Sequence, residues 1–173
     1  GYGFCKSHAV AYTIISYRCA WLKTYFPQEY ICVVLRNIAK GETKGKSGTT
    51  NKYGVYAAEA LSLGIKILTP DINLSKNNFV NEGKNIRIGF GNIKNIGTDT
   101  AIEIMQNQPY KSYDDFIHKN PKVPKRVGEK LILVGAFDCF KEERLPLLVK
   151  FYKFKKVKLD IEIKRIQKDD SPA

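Results

Sequence analysis

Tyr12, Ile15, Cys19, Leu22 and Phe26 recur at steps of three and four residues, so a helix over residues 7–26 gathers them on one apolar face. Ser7 is the expected N-cap, and Pro27 interrupts the pattern directly after Phe26. A second helix is expected from Pro27, which suits a first turn, to Ile38. Ala57 to Leu63 reads as a short helix that Gly64 stops in the left-handed conformation. Ile65 to Leu68 leads into a turn at Thr69-Pro70-Asp71. Phe79-Val80 and Ile86-Arg87-Ile88 then form the arms of a small β-hairpin. Two similar units follow, from Ile93 to about Asn107 and from Val123 to Gly135. Each joins a short turn to an apolar-periodic helix, and another short helix is expected between them, around Tyr113 to His118.

The 173 residues are enough to bury a core, and 43% apolar against 27% charged residues argues for folding over disorder. Twenty-nine Lys and Arg against seventeen Asp and Glu leave a net charge of +12. That excess favours nucleic acid or another polyanion as partner, although basic proteins without such a partner exist. Cys5, Cys19, Cys32 and Cys139 form no CxxC pair, and His8 and His118 stand alone, so neither a zinc site nor a disulfide framework is expected. This usage suits a reducing, intracellular setting. No apolar run approaches the roughly 18 residues of a membrane span, and no signal peptide is visible. The opening Gly1-Tyr2-Gly3, without Met, reads as cut from something longer.

Residues 39–52 hold three glycines and four lysines and read as a flexible basic loop. Gly45-Lys46-Ser47 resembles part of a P-loop, but three residues rather than four separate Gly41 from Gly45 and no strand precedes them, so that reading is rejected. In the tail, Val157, Leu159, Ile161 and Ile163 alternate with charged residues as in a half-buried strand. Its basic character fits a solvated chain end as well as a DNA contact.

Three places combine charge with exposed backbone. The loop Gly1 to Cys5 feeds a helix start whose N–H groups and dipole favour a phosphate, with Lys6 adding a full charge. His8 and Tyr12 lie one turn apart on the same face and suit a sugar and base, or else pack as core. Phe90 to Asp99 contains a tight turn of the form small-apolar-Gly and opens the helix of Ala101, Ile102 and Met105. Glycine there allows close approach of a DNA phosphate and supplies any positive φ; a plain helical hairpin is the alternative. Lys125, Arg126 and Lys130 begin the later helix, whose apolar positions are Val127, Leu131 and Val134; a solvated face is the alternative. No acidic pair is placed to hold two Mg²⁺, and Asp114-Asp115 sit at a helix start where N-capping is the expected job. No serine or cysteine nucleophile has a matching base.

Gly1-Tyr2-Gly3-Phe4-Cys5-Lys6-Ser7-His8-Ala9-Val10-Ala11-Tyr12, Trp21-Leu22-Lys23 and Tyr25-Phe26-Pro27 resemble the fingers of bacterial C-family replicative DNA polymerases, the DNA polymerase III alpha subunit. The order continues through Leu63 to Asn73, Ile88 to Gly97, and Lys125-Arg126-Val127 to Asp138, about four-fifths of the chain. The resemblance implies a mainly α fold with a small β-hairpin: a fingers subdomain followed by tandem helix-hairpin-helix. The expected division is fingers with the incoming-nucleotide helix at 1–80, duplex-binding region at 81–140 and a basic C-terminal extension at 141–173. By match to the Lys-Ser-His-Ala-x-Ala-Tyr motif, Lys6 and Ser7 would lie at the triphosphate, with His8 and Tyr12 against sugar and base. Lys94, Ile96, Gly97, Thr98, Lys125 and Arg126 would meet the duplex. Asn95 stands where the family usually has glycine, and residues 39–52 are longer and more basic than the family leads one to expect.

The resemblance further implies a nucleotidyltransferase of DNA replication in the cytoplasm that extends a primer with two Mg²⁺ held by palm aspartates upstream of Gly1. The chain alone, with no catalytic or metal-binding residue of its own, is expected to be inactive. Primer–template DNA, an incoming dNTP, the rest of the polymerase chain, and a sliding clamp or other replisome subunits are the implied partners. The alternative is a non-enzymatic helix-hairpin-helix DNA-binding module; a third class is an RNA-binding or ribosome-associated basic protein.

Overall fold

The computed structural model describes residues 5–39 and 52–156. Their architecture is mainly helical with one small sheet, and they gather into two compact units. The loop 40–51 and the alternating tail 157–164 lie outside the described residues.

The first unit comprises the described residues of Gly1–Leu68 together with Phe79–Arg87. It contains α1 (Lys6–Tyr25), α2 (Pro27–Ala39), α3 (Lys52–Ser62) and strands β1 (Ile67–Leu68), β2 (Val80–Glu82) and β3 (Asn85–Arg87). Pro27 opens α2 as expected, since a first-turn N–H has no helical acceptor to lose. Ile31 and Leu35, one turn apart, are fully buried on its inner face. At the end of α3 the Gly64 N–H donates to Leu61 O at 3.0 Å and the Ile65 N–H to Ala60 O at 2.9 Å. This paired closure requires the positive φ of +74° that Gly64 adopts. The expected hairpin forms with register Val80↔Arg87 and Glu82↔Asn85. Two side chains of α2 fasten it: Gln28 Nε2 donates to Gly83 O and Asn85 O at 3.0 and 2.8 Å, and Arg36 Nε to Phe79 O at 2.7 Å. β1 also pairs in parallel with β3, Ile67↔Ile86.

Two expectations for α1 are corrected. Its N-cap is Cys5, in extended conformation, while Ser7 lies inside the first turn and its Oγ shares a 3.0 Å hydrogen bond with Cys5 Sγ. And α1 buries no side chain: Tyr12, Ile15, Leu22 and Phe26 are all at least 44% exposed. Val10, Ile14, Tyr17, Trp21 and Tyr25 form a second apolar run at the same helical spacing and are equally open. A helix apolar on two sides has no single face that periodicity could assign to a core.

The second unit comprises Thr69–Asn78 and the described residues of Ile88–Ala173. A 3-10 turn at Phe90–Asn92 precedes α4 (Thr98–Gln106), α5 (Tyr113–Lys119), α6 (Lys125–Leu133), a second 3-10 turn at Asp138–Phe140, and α7 (Arg144–Phe154). Their core is strongly aromatic: Tyr113 and Phe116 both meet Phe137 at 4.9 Å between ring centres, nearly edge-on. α7, which lies in the stretch expected as a C-terminal extension, buries Leu147, Leu148, Phe151 and Tyr152 in this core. A Cβ at Gly128 would overlap the Phe151 ring, so α6 and α7 meet at a point only glycine permits. Gly135 ends α6 at φ +82°, with Ala136 N–H donating to Leu131 O at 2.9 Å.

Capping of α5 divides among neighbours. Ser112 Oγ accepts from Asp115 N–H at 3.2 Å, and the Asp115 carboxylate accepts from Lys111 N–H at 3.0 Å. That bond, followed by Lys119, holds the Asp115 carboxyl below the usual carboxylate range. Asp114 instead pairs with Lys150 of α7 at 2.6 Å. Among the described residues no helix is long and apolar enough to cross a membrane, and no three His, Cys, Asp or Glu side chains gather to hold a metal.

Candidate nucleic-acid interface

The turn before α4 rests on two buried isoleucines. Ile93 and Ile96 are 8% and 6% exposed, and Ile96 N–H closes the turn onto Ile93 O at 3.1 Å. Between them Lys94 and Asn95 stand in solvent, followed by exposed Gly97 and Thr98. Of the expected duplex-facing residues, Ile96 therefore spends its side chain on the core and offers outward only backbone. The positive φ belongs to Asn95, at +74°, and not to Gly97, whose φ of −75° any residue adopts. Asparagine is among the few side chains that tolerate this region, which corrects the expectation that a glycine supplies it.

Gly97 is then left without an internal reason. A Cβ built there meets nothing within 4 Å among the described atoms, whereas Gly89 and Gly91 lie hard against the backbone and side chains of residues 77–78. Gly97 is the N-cap of α4 and has no side-chain cap bond, so the first N–H groups of the helix remain open beside a bare backbone. Such a surface leaves room for an external anion at close range. Asp99, in the same first turn, opposes that charge.

The turn before α6 is built on Asn120, which is 1% exposed. Its Nδ2 donates to Tyr110 Oη and Phe116 O, both at 2.9 Å, and its Oδ1 accepts from Asn107 Nδ2 at 2.9 Å. Tyr110 in turn donates to Ile104 O at 2.7 Å; burial pushes its phenol up to about 12, with the Asn120 bond opposing. This network joins the end of α4 to α5 and the second turn. Val123 N–H closes the turn onto Asn120 O at 3.1 Å, and Pro124 caps α6 with backbone alone. Lys122 and Arg126 are exposed. Lys125 is partly buried, with its ammonium 3.8 Å from Glu129 Oε1 and 5.7 Å from the Tyr152 ring centre. Neither Asn120 nor Glu129 stands out in the sequence as a site residue; each is a polar side chain in an apolar-periodic run, the one signal available there.

At the start of α1, Lys6, Ser7, His8 and Tyr12 are all exposed over the first two turns. The His8 and Tyr12 rings meet with centres 4.4 Å apart and planes at 57°, as their four-residue spacing requires. The Cys5 thiol is lowered by its hydrogen bond to Ser7, with the His8 backbone adding to the effect.

A helix-hairpin-helix family model matches residues 64–147, the stretch that carries both turns. Over 153 residues the chain is 37% identical to DNA polymerase III subunit alpha of Saccharopolyspora erythraea, an alignment covering 85% of this chain. The corresponding subunit of Aquifex aeolicus is 41% identical over 156 residues, and that of Buchnera aphidicola 37% over 155. Over some 85% of its length the chain is thus similar to DNA polymerase III alpha subunits. It spans 12% of the length of the Saccharopolyspora relative and 13% of the Aquifex one. Within that segment, both turn-plus-helix units fall inside the helix-hairpin-helix match, whereas α1 precedes it.

Proposed function

We propose that this chain is the part of a replicative DNA polymerase of the cytoplasm that receives the incoming dNTP and holds the template–primer duplex by its backbone. The observation that carries the duplex half is Gly97: a glycine needed neither by its dihedrals nor by its neighbours, at an uncapped helix start inside a helix-hairpin-helix match. Thr98 and the exposed Lys94 flank it, and Arg126 offers a second cation at the start of α6. The nucleotide half rests on the open cluster at the start of α1. Lys6 and Ser7 suit a triphosphate; the touching His8 and Tyr12 rings suit a sugar and base. Phosphoryl chemistry would come from Mg²⁺ held elsewhere in the polymerase, which supplies charge neutralisation at the transferring phosphate. The residues here bind and orient.

The test is primer–template binding by this chain across a salt series, with and without the templated dNTP. Log affinity should fall linearly with log salt, because each neutralised phosphate releases counterions. Lys6→Ala or Tyr12→Ala should weaken the dNTP effect while leaving duplex affinity nearly intact. Equal loss of both would refute the division of roles. Duplex binding unaffected by dNTP in the unaltered chain would favour the plain DNA-binding module.

A further inference from the structure

Two adjacent cations begin α6, yet their surroundings differ. Arg126 is exposed, while Lys125 lies partly under the surface with its ammonium 3.8 Å from Glu129 and over the Tyr152 ring. Glu129 is only 5% exposed. A carboxylate that deeply placed is costly unless charge or hydrogen bonds compensate it, and a lysine one turn earlier on the same helix is a cation within reach. The Tyr152 face adds a second attraction for that ammonium. Because Tyr152 belongs to α7, which meets α6 at Gly128 and Phe151, the cluster braces the helix that carries the second turn.

We propose that Lys125 is a positioning residue and not a DNA contact. Its ammonium faces Glu129 and the Tyr152 ring, so Lys122 and Arg126 are the cations that the second turn presents to a duplex phosphate. This rests on the duplex reading above and sharpens it.

The experiment uses the whole chain and two readouts, thermal unfolding and the slope of log affinity against log salt for a primer–template duplex. Arg126→Gln and Lys122→Gln should each make the slope shallower by about one while leaving the unfolding temperature unchanged. Lys125→Gln should lower the unfolding temperature and leave the slope unchanged. Adding Glu129→Gln to Lys125→Gln should recover part of that loss, because the two side chains act as a pair and their losses are coupled. A Lys125→Gln chain with an unaltered unfolding temperature and a slope shallower by about one would overturn the proposal. So would stability losses at 125 and 129 that simply add. If the unaltered chain fails to bind duplex at any salt, the duplex reading falls. The 125–129 cycle then decides the positioning role alone: coupling upholds it and additivity overturns it.

Discussion

Asn95 and Gly97 divide two tasks that a glycine turn usually combines. Asn95 takes the left-handed dihedrals, and Gly97 leaves the approach to α4 bare. Replacing Asn95 with Gly should therefore leave stability within about 1 kcal/mol, while Asn95→Val should cost more than about 1 kcal/mol, since a β-branched side chain crowds the backbone at positive φ. Denaturant unfolding measures both; equal stability for the Val variant would mean the turn relaxes. At Gly97 the balance is reversed. Alanine is a poorer N-cap than glycine, so Gly97→Ala should cost under about 1 kcal/mol of folding. A methyl group at the proposed phosphate seat should nevertheless weaken duplex binding about tenfold, near 1.4 kcal/mol. An alanine variant that binds as tightly as the parent would remove Gly97 from the interface. Residue-level chemistry was legible here only by type. A sequence marks Gly97 as permissive, but which neighbour carries the positive φ depends on where the turn closes, and Ile96 N–H to Ile93 O decides that.

Among the elements, helix ends were the most legible, because their signals are local: Pro27 at the first turn of α2, and Gly64 and Gly135 past the ends of α3 and α6. β1 left no such mark. Two residues pairing in parallel with a strand nineteen positions away form no local pattern, and only the hydrogen bond from Ile86 N–H to Lys66 O and the β1–β3 register place them. The burial of α1 was illegible for the opposite reason, with apolar residues on too many sides to choose one. That exposure has a kinetic consequence. Amides of α1 should exchange with solvent faster than those of α6, because no buried side chain opposes local opening of α1. Slower exchange in α1 would mean it is covered in solution. The network under the second turn predicts a pH effect. Tyr110 is held neutral by burial, so its contribution to stability is complete below pH 10 and is lost as pH rises through about 12. Phenolate absorbance should reveal a late-titrating tyrosine that is absent in Tyr110→Phe.

For the whole molecule, the net charge of +12 sets a contest between self-repulsion and the attraction of a polyanion. Without DNA, added salt screens the repulsion and should raise the unfolding temperature modestly. With duplex present at a hundred times its dissociation constant at low salt, mass action should stabilise the chain by about 2.7 kcal/mol. Salt then acts in the opposite direction, because counterions compete with the protein's cations for each phosphate and so weaken binding. The two unfolding curves should converge as salt rises, the duplex-bound one falling towards the free one. The charge arithmetic alone, however, is satisfied equally by a protein coated nonspecifically with any polyanion. A scrambled single-stranded oligonucleotide of matched charge separates the cases. If both turns hold phosphates as proposed, they require the fixed spacing of a duplex, so the single strand should stabilise the chain less at the same phosphate concentration. Equal stabilisation by both would mean that the basic surface acts as a whole and that the two turns add no geometry to it.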